Sequence, residues 1–212
     1  MNIVFDFGAV LFTWQPGALI QTHFPDHAAT QEQRSALTHA VFGHADWHDF
    51  DRGVLTASEV SFRTAQRLGL NEPDLRALVD GIGERLQTMD DTLALLAQLR
   101  ALRDQAGSTL RLYYLSNMPE PYARVLEHKH EFIAWFDGGI FSGDVKHIKP
   151  EPEIYALLER RFQLEPSQTV FIDDLASNVA HAQSRGWQGI HFESAAQLKA
   201  QLQRLQVLPL GI

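Results

Sequence analysis

The chain has no cysteine. That excludes a disulfide framework, a thiolate nucleophile and any Cys-ligated zinc or iron–sulfur centre, and leaves chemistry to oxygen and imidazole groups. It also lacks a Lys/Arg-rich run, and 18 Lys and Arg stand against 26 Asp and Glu, for a formal charge of −8. Nucleic acid and anionic membranes both demand a basic face, so neither is an expected partner. No apolar stretch approaches the ~20 residues of a membrane-spanning helix. The first apolar run, Ile3 to Phe12, is broken by Asp6 and has no basic segment before it, so it does not read as a secretion signal and the expected location is the cytoplasm. Internal repeats and low-complexity linkers are missing as well.

What is present is an ordinary globular composition: 212 residues, 45% hydrophobic and 21% charged, enough for one domain or one domain carrying an insertion. Short runs rich in β-branched and aromatic residues, Ile3–Phe5, Leu110–Leu115, Gly139–Phe141, Thr169–Ile172 and Gly189–Phe192, read as buried strands. Between them Leu95, Leu96, Leu99 and Leu102, and again Ile154, Leu157, Leu158 and Phe162, recur at three- and four-residue steps, the mark of amphipathic helices. Strands alternating with helices predict an α/β fold, a doubly wound, Rossmann-like parallel sheet covered on both faces. Residues 15–89 interrupt that alternation with helical periodicity alone. They are expected to form an inserted helical cap on a core of residues 1–14 and 90–212. Within the insertion Thr56 and Glu59 fit a capping box, and Pro73 fits the first turn of a further helix.

Ligands bind such sheets at the carboxyl ends of the strands, so the polar residues there carry the functional reading. Asp6 follows Ile3-Val4-Phe5 with Gly8 close behind; it reads either as a nucleophile or metal ligand or as a turn-forming Asp-x-Gly. Ser116-Asn117 follows Leu112–Leu115 just before Met118-Pro119, either an anion site at a helix start or a simple N-cap. Thr169-Val170-Phe171-Ile172 ends in Asp173-Asp174. Adjacent carboxylates repel unless a cation lies beside them, and capping a helix from Leu175 explains only one of the two. Lys149, in Lys149-Pro150-Glu151-Pro152-Glu153, reads alone as solvated surface.

Taken together, and in this order, these residues resemble the haloacid dehalogenase superfamily of phosphatases. Phe5-Asp6-Phe7-Gly8-Ala9-Val10-Leu11 is similar to the first motif of the family, Leu115-Ser116-Asn117 to the second, Lys149-Pro150 to the third and Phe171-Ile172-Asp173-Asp174 to the fourth. Asp51-Arg52-Gly53 with Glu59 resembles the cap of the subgroup with a small helical insertion after motif one, and Asn178-Val179, Ala182, Gly186 and Ile190-His191-Phe192 resemble the tail of motif four. The resemblance implies that Asp6 attacks phosphorus to form an aspartyl-phosphate. It implies Mg²⁺ bound by Asp6, the Gly8 carbonyl and Asp174, with Asp173 in support through water. Ser116, Asn117 and Lys149 would hold the transferring oxygens and offset their charge.

One departure stands out. Most phosphatases of the family carry a second Asp, an acid and base, where this chain has Gly8, and losing such help costs roughly 10²–10⁴-fold. Two escapes are open: another group or a bound water substitutes, or the leaving group needs little protonation, as with an anomeric sugar hydroxyl, which points toward sugar 1-phosphates; the Asp-x-Gly form also resembles a bacterial subgroup that includes an α-glucose-1-phosphate phosphatase. The expected partner is a small phosphate ester, and the expected assembly a monomer or homodimer. The rivals are a 2-haloacid dehalogenase, which needs no metal, a catalytically degenerate phosphate binder, and a phospho-accepting receiver domain, whose paired acids come first rather than last. Trp14, Trp47, Phe50 and Arg52 are candidates for the cap–core cleft. His39, His44 and His48 fit no common ligand spacing, and His128 and His130 read as cations at a helix end.

Overall fold

The computed structural model describes residues 1–209. Five strands, β1 (Asn2–Phe5), β2 (Arg111–Ser116), β3 (Gly138–Phe141), β4 (Thr169–Asp173) and β5 (Gln188–His191), form one parallel sheet in the order β3-β2-β1-β4-β5. β1 is central and fully covered: Ile3, Val4 and Phe5 have no exposed surface. The period-two alternation of strand side chains divides the interior, Ile3 and Phe5 joining one apolar cluster and Val4 the other. Leu198 and Leu202 of α11 (Ala195–Arg204) and Leu95, Leu96 and Leu99 of α6 (Asp90–Arg103) fill the first face, and Ile154, Tyr155 and Leu158 of α9 (Pro152–Phe162) fill the second. The register places Phe5 beside both Tyr114 and Ile172, so the carboxyl ends of β1, β2 and β4 open on one rim. Strand order reverses between β1 and β4, which makes the crevice between their ends the ligand site of such a sheet.

All five helices between Pro16 and Arg85 precede the second strand: α1 (Pro16–His23), α2 (Gln31–Phe42), α3 (Ala45–Asp51), α4 (Ala57–Leu68) and α5 (Glu72–Arg85). α4 begins with the Thr56–Glu59 capping box, and α5 with Asn71 at the N-cap and Pro73 in its first turn. The segment leaves and rejoins the sheet at one neck, where Thr13 N–H donates to the Gln87 carbonyl and Met89 N–H to that of Leu11, each at 2.8 Å. It also packs closely on α7 (Glu120–Lys129), where the Tyr122 hydroxyl donates to the Val79 carbonyl at 2.7 Å. Leu75, Leu78, Val79 and Ile82 of α5 share one apolar cluster with the sheet. The last three residues of the expected core segment 90–212 lie outside the described residues. Among the described residues no helix is long and apolar enough to cross a membrane.

Candidate active site

The β1–β4 crevice brings together the carboxylates named from sequence. Asp6 leaves β1 with its own N–H bonded to the Ile172 carbonyl at 2.9 Å, which fixes it against the end of β4. Lys149 bridges it to that strand, with Nζ 2.9 Å from Asp6 Oδ1 and 2.6 Å from Asp173 Oδ2. Asp173 has no exposed surface and is saturated: Oδ1 accepts from Leu175 N and Asn178 Nδ2 at 2.8 and 2.9 Å, and Oδ2 from Lys149 and from Asn178 at 2.6 and 3.1 Å. Burial opposes the charge on Lys149, but the Asp173 and Asp6 carboxylates outweigh it and raise the pKa. Burial pushes the Asp6 carboxyl up to about 7 against the pull of Lys149.

The ends of β2 and β3 supply the next layer. The Ser116 side chain is buried and lines the cavity beside Asp6. Asn117 clamps the third motif to the second: its Oδ1 accepts from Lys149 N at 2.7 Å and its Nδ2 donates to the Lys149 carbonyl at 3.0 Å. Ser116 and Asn117 are not the N-cap of α7, which is Pro119 without a side-chain cap bond; ahead of the helix the Met118 N–H donates to Ser142 Oγ at 2.8 Å. Ser142 in turn donates to the Asp51 carbonyl of the cap at 2.6 Å.

Three carboxylates, from Asp6, Asp173 and Asp174, each offer an oxygen within 4.8 Å of the other two. Among the described residues Lys149 is the cation bonded to them, which leaves a formal surplus of two negative charges, equal to the charge of one divalent cation. Asp6 Oδ1 is occupied by Phe7 N–H at 2.6 Å and by Lys149, leaving Oδ2. The Asp174 carboxylate pairs with no side chain among the described residues, and burial, then the neighbouring Asp173, raises its pKa. An all-oxygen donor set with one oxygen of Asp6 and the Asp174 carboxylate uncommitted fits a hard cation such as Mg²⁺. Gly8 faces the same cavity, and a Cβ built on it would meet nothing within 4 Å.

That cavity measures about 460 Å³ and lies between rim and cap. Its wall away from the carboxylates is apolar, with Trp14 from the neck, Phe42, Trp47, Ile82 and Leu86 from the cap and Tyr122 from α7. Trp14 and Trp47 thus line the cleft as expected from sequence, whereas Phe50 and Arg52 do not. Phe50 is buried between Trp47 and Tyr122, and Arg52 is turned to Asp49 and Glu151. His44 caps α3 through the Asp46 N–H at 3.1 Å. His130 is held toward its neutral form by burial and by Lys129, its ring against Phe12, a correction to the cationic reading. Sequence reasoning missed Ser142 and the inward side chain of Asp51. Ser142 follows the apolar run Gly139–Phe141, so the strand-end rule that found Ser116 reaches it too.

Comparison with known proteins agrees with this geometry. Residues 3–184 match the haloacid dehalogenase-like hydrolase family. A sesquiterpene phosphatase of Aspergillus oryzae is 25% identical over 203 residues, spanning 95% of this chain and 94% of that protein. A D-ribitol-5-phosphate phosphatase of Bacteroides thetaiotaomicron is 26% identical over 215 residues, 95% and 96% of the two chains. In fold, the chain is similar to a crystal structure of a Bacteroides thetaiotaomicron enzyme of the haloacid dehalogenase family in complex with magnesium and inorganic phosphate, with a TM-score of 0.68, 20% identity and coverage of 91% and 93%. It is also similar to L-2-haloacid dehalogenase from Xanthobacter autotrophicus, with a TM-score of 0.63, 20% identity and coverage of 98% and 84%. With its family pattern running through all the strand ends that form the crevice, the chain belongs to the haloacid dehalogenase-like hydrolases.

Proposed function

We propose that this hydrolase is a Mg²⁺-dependent phosphatase that cleaves a small phosphorylated metabolite through an aspartyl-phosphate on Asp6. The observation that carries the reading is Lys149, buried and bonded at once to Asp6 at 2.9 Å and Asp173 at 2.6 Å, with uncommitted Asp174 beside them. A dehalogenase has no use for that third carboxylate. Asp6, Asp174 and the Gly8 carbonyl would hold the ion, with Asp173 supporting them; when bound, Mg²⁺ offsets the charge of the carboxylates and of the phosphoryl oxygens.

Asp6 Oδ attacks phosphorus and the bond to the leaving oxygen breaks; water then releases phosphate and restores the carboxylate. Lys149 holds Asp6 in place and, with the Ser116 hydroxyl, offsets the charge of the transferring oxygens. Asn117 acts by fixing the Lys149 backbone, since both ends of its amide are engaged there. Residues 15–89 serve as the cap that excludes water over a core of residues 1–14 and 90–212.

Two substrate classes have specific support. The first motif supplies no acid at Gly8, which suits an easily displaced anomeric oxygen such as that of glucose 1-phosphate where no other residue donates the proton. The aromatic wall formed by Trp14, Phe42 and Trp47 suits an ester whose alcohol half is apolar, and the relatives include phosphatases named for a sesquiterpene and for a sugar alcohol phosphate. A screen of phosphate release from glucose 1-phosphate, fructose 1-phosphate, a mononucleotide and prenyl phosphates, with Mg²⁺ and with EDTA, decides between them. Hydrolysis that needs Mg²⁺ and vanishes in Asp6→Asn is the expected result. Metal-independent halide release from 2-haloacids, without phosphate release, contradicts the proposal.

A further inference from the structure

We propose that Asp51, the last residue of α3, is the general acid and base of this site, supplied by the cap in place of the side chain that Gly8 lacks. The proposal rests on the phosphatase reading above. Three consecutive cap residues are tied to the core: the Asp51 carbonyl accepts from Ser142 Oγ at 2.6 Å, Arg52 pairs with Glu151, and the Gly53 carbonyl accepts from Lys146 Nζ at 2.7 Å. Gly53 has φ +71°, and a Cβ there would lie 2.6 Å from the Gly143 carbonyl oxygen, so the approach is as close as a backbone can make. The fixed segment turns the Asp51 side chain into the cavity that Asp6, Gly8, Ser116, Lys149 and Asp174 also line.

The Asp51 carboxylate accepts no hydrogen bond among the described residues. Burial pushes its pKa up to about 8 against the weaker pull of Arg52 and Lys149, so it carries a proton at neutral pH. The other titratable groups around it are committed or remote from the task. The Tyr122 hydroxyl donates to the Val79 carbonyl at 2.7 Å, Glu151 is held ionised by Arg52, and Asp173 is saturated. His48, one turn back on α3, reaches the cavity from its exposed rim.

In the first step an Asp6 oxygen bonds to phosphorus, the phosphorus–oxygen ester bond breaks, and the Asp51 proton passes to the leaving oxygen, releasing the alcohol. In the second, the Asp51 carboxylate takes a proton from water as that oxygen bonds to phosphorus. The bond to Asp6 then breaks, phosphate departs, and Asp51 has regained its proton.

The test compares Asp51→Asn with the wild type, both saturated with Mg²⁺, on a primary alkyl phosphate and on 2,4-dinitrophenyl phosphate, whose leaving group needs no proton. The variant is expected to lose roughly 10²–10⁴-fold on the alkyl ester. With the dinitrophenyl ester it gives a rapid burst of one equivalent of phenol followed by slow turnover, the phosphoryl group trapped on Asp6. Wild-type alkyl ester cleavage falls above about pH 8, a limb missing in the variant, and adding Gly8→Asp to Asp51→Asn restores alkyl ester cleavage. Equal losses on both esters without a burst, or a loss under about tenfold on the alkyl ester, overturn the proposal. Should Asp51→Asn not fold, Asp51→Glu is read instead: a displaced basic limb supports the assignment and an unchanged profile overturns it. A wild type inactive on every ester defeats the phosphatase reading itself, and a wild type that turns over both esters separates the two failures.

Discussion

The two walls of the cavity are built on opposite principles. On the core side the polar groups are tied to one another, Asp174 and one oxygen of Asp6 excepted: Asp173 accepts four hydrogen bonds, Lys149 joins two carboxylates, and Asn117 closes both ends of its amide on the Lys149 backbone. On the cap side the wall is aromatic and aliphatic, and the Asp51 carboxyl stands in it without a hydrogen-bond partner among the described residues. A saturated network in a low dielectric is rigid and holds a nucleophile in one place. An apolar wall recognises by area and keeps a carboxyl neutral. On the proposed reading, the sheet side stabilises charge and the cap side selects substrate and handles the proton.

The largest effect breaks the core side. Asp6→Asn removes the proposed nucleophile, with an expected loss of at least about 10⁴-fold in phosphate release. Lys149→Met is next. It leaves Asp6 and Asp173 buried without their cation and is expected to cost about 3–5 kcal/mol in urea unfolding, together with most of the activity. A Lys149→Met protein as stable as the wild type contradicts the network described above.

How much of this division is legible in the sequence follows the same line. Asp6, Ser116, Asp173 and Asp174 each follow an apolar run within one strand, so a local pattern places them at the rim. All five expected strands are present within one or two residues of their expected ends. The cap wall has no such signal, because what Asp51 faces depends on how α3 docks on β3 some ninety residues later, through Ser142 and Asp51. Its neighbours were only half legible: Trp47 and Asp51 lie four residues apart and share a helix face, while Phe50, between them in sequence, turns into the core. That spacing, beside the resemblance of Asp51-Arg52-Gly53 to the cap of the family, is the sequence signal that places Asp51 with Trp47 on the cavity side. Arg52, a candidate for the cap–core cleft, instead meets Glu151, since a carboxylate on the facing loop is a stronger attraction than an apolar cleft.

Smaller effects sharpen the cap side. Gly53→Ala puts a Cβ 2.6 Å from the Gly143 carbonyl oxygen at a φ of +71°, and is expected to cost about 1–3 kcal/mol and to lower kcat more than it raises KM, because the cap tie rather than the binding wall is disturbed. Trp14→Ala removes part of the aromatic wall and is expected to raise KM for an apolar ester about tenfold while leaving a small polar ester within about twofold.

A further effect is on stability alone. The Asp51 carboxyl rises from 3.8 to about 8 on folding, so between those values the folded chain holds a proton that the unfolded chain has released. Stability therefore falls as pH rises through that window. Asp51→Asn removes the slope, and thermal unfolding at about pH 5 and about pH 8 should show the variant gaining about 1–3 kcal/mol on the wild type at the higher pH. A parallel pH response in the two proteins places Asp51 outside the apolar wall.

On the proposed reading Asp6 and Asp174 share one divalent ion at the β1–β4 crevice. Calorimetric titration of the metal-free protein with Mg²⁺, in the wild type and in Asp174→Asn, reads that ion. One ion per chain in the wild type, with at least about tenfold weaker binding in the variant, is the predicted result; equal affinity in the two proteins, with phosphate release undiminished in EDTA, contradicts it.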